Sequence, residues 1–416
     1  MERIDRENPV VITGAARTPV GAYLGDLKTV PVEELGRIAL EEAVRRAGIE
    51  KEAIDEVIVG HVTGSQTTNN LGRIIGINSG LRMDSTGFTV NRICGSGIQS
   101  AISAVHELML MDRTFVAAGG AESLSRADYY LPVSVRWEGF RMAEPRLVDA
   151  NAEGHRSASG YPNKEITHMG ITAELIAQKY GITREQQDQF AYESQMKVKR
   201  AVESGRLAQE IVPVEVKGRK GAVTVVELDG HPRPDTTLEG LGKLKPVFWP
   251  ENGTVTAGNA SGMNDGAAFE IFTKESTARE RGLEVMAKVA GYAIAGCNPK
   301  LMGMGPVPAI REVLKNHQMT LEDIDILEIN EAFAGQTLGC LRELGNEPGT
   351  ELYNRLNPNG GAVALGHPLG MSGARIITTI CYEFKNHPEK RYAIASACIG
   401  GGQGIAMLLE NGYYKG

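Results

Sequence analysis

The chain has 416 residues, 42% of them apolar and 23% charged, an ordinary globular balance that excludes wholesale disorder, collagen-like structure and a disulfide scaffold. The formal net charge of −7 argues against nucleic acid, whose binding surfaces are basic, and no apolar run reaches the roughly 18 residues of a membrane-spanning helix. Glycine is in excess, 50 residues or about 12% against about 7% in average usage, and the excess is clustered, which points to tight turns.

The N-terminus, M-E-R-I-D-R-E-N-P, has no apolar signal core and carries acids. The C-terminus, N-G-Y-Y-K-G, is not a peroxisomal address. A cytoplasmic location is therefore expected. From Ile38 to Val62 an amphipathic helical pattern turns into a short β-branched run after an Ile-Asp pair. Next comes V-N-R-I-C-G-S-G-I-Q-S-A, in which a strand enters, glycines turn the chain and a helix leaves. Cys94 then sits at a helix N-terminus, where the dipole lowers a thiol pKa and suits a nucleophile. A buried cysteine at a tight turn is the plainer alternative. A buried strand, T-F-V-A-A-G-G, follows from Thr114.

From about Asp128 to Pro250 the composition turns polar, with loops such as D-A-N-A-E-G-H-R-S-A-S-G-Y-P-N-K. Two helices are predicted inside it, M-G-I-T-A-E-L-I-A-Q-K-Y and the stretch opening at Thr183, whose Gln186 completes a capping box. Roughly 120 residues are too many for a plain loop, so a lid or substrate-binding subdomain is expected. G-N-A-S-G-M-N-D-G-A-A, Gly258 to Ala268, reads as a loop that a ligand can approach closely. It has neither a phosphate-binding P-loop nor a dinucleotide fingerprint.

From Ala309 to Phe333 the first pattern returns, with Ile324 in the place of Ile54. Asn330 and Glu331 close the strand, as polar site groups or as turn-formers. Five glycines crowd Gly360 to Gly373 around His367, which can serve as a base toward a thiol or as a cap for the helix that follows. G-M-S-G at Gly370 to Gly373 opens a small-residue helix as C-G-S-G does, with Gly373 in the place of Gly97. The strand R-Y-A-I-A-S-A then repeats the one at Thr114, with Tyr392 in the place of Phe115. The spacing between paired positions stays nearly constant over all three elements, which argues for a duplicated α/β unit with layered sheets and helices. Cys398, in S-A-C-I-G-G-G-Q-G, ends that strand before a glycine loop whose N–H groups can hold an oxyanion. Taken alone it is a packed thiol. Cys297, Cys340 and Cys381 read as small buried hydrophobes. No C-x-x-C pair or H-E-x-x-H cluster suggests a disulfide framework or a metal.

Together these blocks closely resemble the thiolase family, the CoA-dependent acetyl- or acyltransferases. The likeness runs nearly end to end through A-A-R-T-P-V-G, N-R-I-C-G-S-G, G-G-A-E-S-L-S, H-M-G-I-T-A-E, R-P-D-T-T, K-L-K-P-V-F, T-A-G-N-A-S-G-M-N-D-G-A, M-G-M-G-P-V-P-A, N-E-A-F-A, G-G-A-V-A-L-G-H-P-L-G and C-I-G-G-G-Q-G. The resemblance implies an α/β fold of two duplicated halves with a layered α-β-α-β-α core. The divisions would be an N-terminal half over 1–127, an inserted substrate- and CoA-binding loop subdomain over 128–250, a return to the N-terminal half over 251–285 and a C-terminal half over 286–416.

It also implies roles. Cys94 would take the acyl group from acyl-CoA, His367 would accept the thiol proton, and Asn330 would hold a water that completes an oxyanion site with His367. Cys398 would be the second acid/base, and the N–H groups of Cys94 and Gly400 a second oxyanion site. Ser261, His168, Leu244, Phe248 and Met263 would line the CoA tunnel; Met169, Met302 and Phe333 would shape the acyl pocket. The implied partners are acetyl-CoA, CoA and 3-ketoacyl-CoA, with no covalently bound cofactor, no metal, no nucleic acid and no membrane, in a homotetramer or dimer. The implied reaction is Claisen condensation of acetyl-CoA with acyl-CoA, or thiolysis in reverse, with acetyl transfer preferred and longer-chain 3-ketoacyl-CoA thiolysis as the alternative. His168-Met169 and C-G-S-G resemble the acetyl-transferring branch, and N-N-L-G-R-I-I-G-I-N-S-G-L the degradative one. A β-ketoacyl synthase would carry a second histidine where Cys398 stands, and a non-catalytic relative would have lost a catalytic residue.

Overall fold

The computed structural model describes residues 7–140, 146–158, 168–218 and 221–416. The first half comprises β1 (Val10–Arg17), β2 (Gly21–Ala22), α1 (Val32–Ala47), β3 (Glu56–Gly60), α2 (Leu71–Asn78), β4 (Thr86–Val90), α3 (Ser96–Leu110) and β5 (Val116–Ser123). The polar stretch carries β6 (Tyr129–Tyr130), α4 (Val135–Glu138), β7 (Val148–Asp149), α5 (Ala150–Ser157), α6 (Met169–Tyr180), α7 (Arg184–Glu203), β8 (Val214–Lys217), β9 (Val223–Val226) and α8 (Leu238–Gly242). Then follow β10 (Asn264–Lys274), α9 (Glu275–Glu280), β11 (Ala287–Gly296), α10 (Pro306–His317), β12 (Ile326–Ile329), α11 (Ala334–Leu344), α12 (Ala362–Leu365), α13 (Leu369–Asn386), β13 (Tyr392–Ile399) and β14 (Gln403–Asn411).

The main sheet has the order β12-β13-β14-β11-β1-β10-β5-β3-β4, with β2 beside β10. The two halves are mirrored about the antiparallel contact of β11 with β1. On each side an antiparallel pair leads outward to a parallel one: β10 with β5 and β5 with β3 in the first half, β14 with β13 and β13 with β12 in the second. The duplication reaches even the helix ends. Helix α1 stops at Gly48 in the left-handed conformation (φ 69°), and its repeat α10 stops at the matching Gln318 in the same conformation (φ 57°), which costs a non-glycine residue more.

Helices α3 and α13 lie against each other between the halves. Both are buried along most of their length, and polar side chains of α13 are tied off, Glu383 by Arg206 and Thr378 by Glu270. The core between the two sheet faces includes Ile98, Ile102 and Val105 of α3 with Ile376, Ile377, Ile380 and Phe384 of α13. Each such side chain, fully buried, stabilises the fold by about 1.5–3 kcal/mol. Helix α1 covers the outer face of the first half and α10 with α11 that of the second, giving α-β-α-β-α layers. Where α3 and α13 cross, a Cβ on Gly97 would lie 2.3 Å from the Ala374 nitrogen, and one on Gly373 2.4 Å from the Ile98 nitrogen. Only glycine at both positions lets the helix starts come this close, and their N-terminal turns thereby meet at one point.

The polar stretch is fastened to the core by charge. Arg17 of β1 donates to Glu210 (2.6 Å) and to both oxygens of Asp229, while Arg206 reaches Glu210 and Glu383 of α13. Removing one member of such a buried set costs about 3–5 kcal/mol. This gives the A-A-R-T-P-V-G block a structural job. Two sequence expectations change here. The stretch D-A-N-A-E-G-H-R-S is not loop but helix α5, capped by Asp149 through the Asn151 N–H, and residues 159–164 of the same stretch lie outside the described residues. The G-N-A-S-G-M-N-D-G-A-A block is loop only as far as Met263; from Asn264 it is strand β10, buried between β1 and β5. Among the described residues no helix is long and apolar enough to cross a membrane.

Candidate active site

Cys94 lies immediately before the first turn of α3 and is buried. The preceding Ile93 has φ 46°, a costly conformation for a β-branched residue. It is held there by the Ser96 hydroxyl, which donates to the Ile93 carbonyl at 2.7 Å and accepts from the Arg92 N–H. The turn aims the thiol at the loop after β13, where the N–H groups of Gly400 and of Cys94 itself lie on the side of the sulfur that favours a thiolate. The expectation of a lowered thiol pKa is not met. Burial pushes the thiol up to about 11, and the two N–H groups offset only part of this. The resting group is therefore a thiol, and it needs a base.

His367 sits on the loop before α13, 5% exposed. Its N–H donates to Asn264 Oδ1 (2.9 Å), Nδ1 lies 2.6 Å from the Ser372 hydroxyl, and Nε2 lies 3.4 Å from Asn330 Nδ2. Ser372 gives its own proton to the Pro368 carbonyl (2.9 Å). The tautomer consistent with every contact has the proton on Nδ1 and a lone pair on Nε2. Burial, with the nearby Arg375 cation, pushes the ring down to about 4. It is thus neutral at physiological pH. It does not cap α13: that helix has no side-chain cap from its own loop, and its Gly370 N–H is taken by Glu122 at the end of β5 (2.9 Å). Asn330 directly follows β12, and its Oδ1 is buried with no partner among the described residues, so it can accept from a water and hold it there. The neighbouring Glu331 is structural, tying Ser194, Asn357 and the Val363 N–H together.

Cys398 is fully buried near the end of β13 and packs in one cluster with Met169, Met302 and Phe333, joined by Ala158, Phe248 and Ala260. Burial, and the Cys94 sulfur facing it, push its thiol well above the usual range. His168 caps α6, its Nδ1 accepting from the Gly170 N–H (3.0 Å), and stacks between His155 (4.2 Å) and Phe248 (4.6 Å). Phe248 covers Gly170 so closely that a Cβ there would fall 1.9 Å from its ring. Ser261 donates through N–H and hydroxyl to the Ala332 carbonyl beside Phe333. Leu244 is 38% exposed and lies over Gly258, outside that cluster. Met263 is half-buried, between Ser261 and β10, and also outside it.

The first half thus contributes a thiol at a helix start, and the second a neutral imidazole, a second thiol and an N–H-rich loop. The arrangement suits transfer of an acyl group to sulfur. Residues 10–276 match the family "Thiolase, N-terminal domain" and residues 283–411 match "Thiolase, C-terminal domain". The chain belongs to the thiolase family. It is 45% identical over 405 residues to the acetyl-CoA acetyltransferase of Syntrophomonas wolfei, covering 96% of this chain and 98% of that protein. It is 42% identical to the beta-ketothiolase BktB of Cupriavidus necator over the same shares. Among solved structures, the Bacillus anthracis acetyl-CoA acetyltransferase superposes with a TM-score of 0.91 at 41% identity, covering 97% and 99% of the two chains. Human mitochondrial 3-ketoacyl-CoA thiolase in complex with CoA superposes with 0.90 at 38%, covering 97% and 98%. The thiolase fold and the enzyme class expected from the sequence are therefore correct.

Sequence reasoning passed over three residues of this thiolase site. Ser372 lies inside the quoted G-M-S-G, and its counterpart in C-G-S-G, Ser96, is the hydroxyl that braces Ile93; the repeat itself was the available signal. Glu122 lies inside the quoted G-G-A-E-S and Asn264 inside G-M-N-D-G. Their partners, Gly370 and the His367 N–H, come from the other half of the chain, and no local pattern announces that.

Proposed function

We propose that the protein is an acetyl-CoA C-acetyltransferase that joins two acetyl-CoA molecules, or cleaves acetoacetyl-CoA with CoA, through an acyl-enzyme on Cys94. The observation that carries this reading is the close approach of the Cys94 turn to the loop that follows Cys398 in the opposite half: a Cβ on Gly95 would lie 2.7 Å from Ile399, and one on Gly400 3.4 Å from Ile93. His367 takes the thiol proton on Nε2 as the sulfur attacks the thioester carbonyl. The carbonyl oxygen gathers charge beside Asn330 and His367. The carbon–sulfur bond to CoA breaks and the CoA thiolate takes the Cys398 proton, leaving Cys398 a thiolate, while His367 keeps the Cys94 proton until Cys94 is released. In the second half-reaction Cys398 removes the α-proton of acetyl-CoA, and the enolate carbon attacks the acyl carbon on Cys94. The N–H groups of Cys94 and Gly400 hold the oxygen of that acyl group. Ser261, His168, Leu244, Phe248 and Met263 line the CoA path, and residues 128–250 act as the substrate-binding subdomain.

The short acyl preference rests on Met169, Met302 and Phe333, which are 9%, 3% and 8% exposed and crowd Cys398. A homo-oligomer, dimer or tetramer, in the cytoplasm and a place in fatty-acid metabolism complete the proposal. The test is incubation with acetyl-CoA followed by intact-mass analysis, with a thiolysis assay on 3-ketoacyl-CoA of increasing length. One acetyl unit is expected, located on Cys94, with thiolysis fastest on acetoacetyl-CoA. Unchanged acetylation in Cys94→Ser overturns the nucleophile, and a rate that climbs with chain length overturns the acetyl preference.

A further inference from the structure

Helix α5 has no apolar stripe, yet one face of it is covered. Asp149 caps its start by accepting from the Asn151 N–H. The buried Asn151 amide in turn donates to the Leu124 carbonyl, just after β5, at 2.9 Å. Asn151, His155 and Ala158 are spaced four and three residues apart, so they fall on one face of the helix. Glu153 and Arg156 fall on the other face and pair with each other at 3.2 Å.

The covered face meets the site rather than the core. The His155 ring stacks on His168, with centroids 4.2 Å apart and planes 28° apart, and His168 stacks on Phe248 at 4.6 Å and 30°. His168 is fixed within this column, because its Nδ1 accepts from the Gly170 N–H at 3.0 Å. Asn151 thus holds the start of α5, and the ring stack holds its last turn. One turn beyond His155, Ala158 packs on the cluster of Met169, Met302, Phe333 and Cys398. It also comes up against the loop after β13: a Cβ on Gly400 would lie 3.0 Å from the Ala158 carbonyl oxygen and 3.2 Å from its Cβ. Met302 and Phe333 belong to the second half of the duplicated core. Ala158 comes to the same cluster from the polar stretch, where a substitution leaves the packing of the sheet and central helices alone.

We propose that Ala158 is a specificity-determining residue, a wall that sets how long an acyl chain Cys94 can carry, and that His155 is the positioning residue that presses this wall onto the pocket. This rests on the reading of Cys94 as the acyl carrier, with Met169, Met302 and Phe333 around the acyl group. A single methyl group at such a wall matters, since one methylene in an apolar pocket is worth about 10–200-fold in discrimination.

The test is thiolysis of acetoacetyl-CoA and of 3-ketohexanoyl-CoA, beside intact-mass detection of the acetyl group on Cys94. The readout is the ratio of kcat/KM for the longer substrate over the shorter. In Ala158→Gly the ratio is expected to rise about tenfold, and in Ala158→Val to fall about tenfold, with Cys94 still acetylated by acetyl-CoA in both. His155→Ala frees the wall and should raise the ratio, whereas His155→Phe keeps a ring in the stack and should keep the native ratio. A ratio that stays fixed or moves the other way in the Ala158 variants, with Cys94 acetylated, overturns the proposal. A native ratio in His155→Ala, whatever its melting temperature, reduces His155 to a structural ring and overturns its positioning role. Absence of the acetyl group from Cys94 in the native protein is a different result, which removes the acyl-enzyme reading itself and the proposal with it.

Discussion

The two halves offer the same two features to the centre of the molecule and use them oppositely. Each has a helix start, Cys94 before α3 and the equivalent Gly370 at the head of α13. Each also has a strand end, Glu122 on β5 and the equivalent Ile399 on β13. Each strand end reaches across to the other half's helix start. Glu122 accepts from the Gly370 N–H, and the loop at Gly400 lies against the Cys94 turn. At α13 a fixed carboxylate satisfies the helix end for good. At α3 no side chain caps the helix, so that its N-terminal field and the opposing N–H stay free for charge that arises during reaction. Duplication made two equivalent crossings. One is locked by a carboxylate and the other holds the chemistry.

The comparison is broken most severely at Cys398, which stands where the first half has Ala121. We predict that Cys398→Ala, giving the second half the first half's residue, still forms the acyl-enzyme on Cys94 but condenses it about 10²–10⁴-fold more slowly, the usual contribution of a general acid–base group. Acetyl labelling of Cys94 together with deuterium exchange into acetyl-CoA checks this. Labelling that persists while exchange is lost fits the division of labour. Normal exchange would mean that another group, with His367 the nearest candidate, removes the α-proton.

A smaller effect is expected at the locked crossing. Burial alone would raise the Glu122 carboxyl, but the His61 cation and the N–H groups of Thr63 and Gly370 outweigh it and hold it low. Burial opposes a charge on His61, and Glu122 outweighs that, raising the ring above its ordinary 6.5. The raised His61 gives stability that is complete below pH 6.5 and lost as pH rises through its folded value. The lowered Glu122 gives stability present above its ordinary 4.5 and lost as pH falls through its folded value. Both are present between pH 4.5 and 6.5. Glu122→Gln should therefore cost about 2–4 kcal/mol near pH 5.5 and less at pH 8.5. Urea denaturation at the two values measures the gap, and a gap independent of pH would show that His61 is neutral in the fold.

Much of this design is legible in the sequence because it is local. The duplicated unit shows in helix and strand periodicity, and C-G-S-G, N-E-A-F-A and the glycines around His367 mark turns that must bring small backbones together. What stays hidden is what depends on burial and on crossing between halves. The thiol of Cys94 looked acidified by its helix, but the dipole acts weakly against the removal of water, and burial decides. Glu331 looked like part of the site, yet its carboxylate faces α7 and the α12 loop. Helix α5 looked like loop because a short polar helix of D-A-N-A-E-G-H-R-S has no apolar stripe to announce it.

The last expected effect sharpens the comparison on β12. Glu328 and Ile58 occupy equivalent places, and only the first half's residue suits an apolar junction. Burial raises Glu328 from its ordinary 4.5 to about 8. Between these values the unfolded chain has released the proton and the native state has not, so the native state loses stability steadily as pH rises from 4.5 to about 8. Below 4.5 both states are protonated and the loss is absent. Glutamine keeps the shape of the protonated acid and cannot ionise in either state, so Glu328→Gln escapes the loss. It is expected to match the wild type near pH 4.5 and to exceed it by about 4 kcal/mol at pH 8, the size of the shift in which the attraction of Arg375 is already counted. Urea midpoints across this range read the difference directly. A gap that does not widen with pH would mean that Glu328 is ionised in the native protein and compensates Arg375. The second half would then hold a working ion pair where the first holds Ile58 and Gln99. A widening gap means that the second half gives up stability at a junction which the first half, with Ile58, builds without that loss.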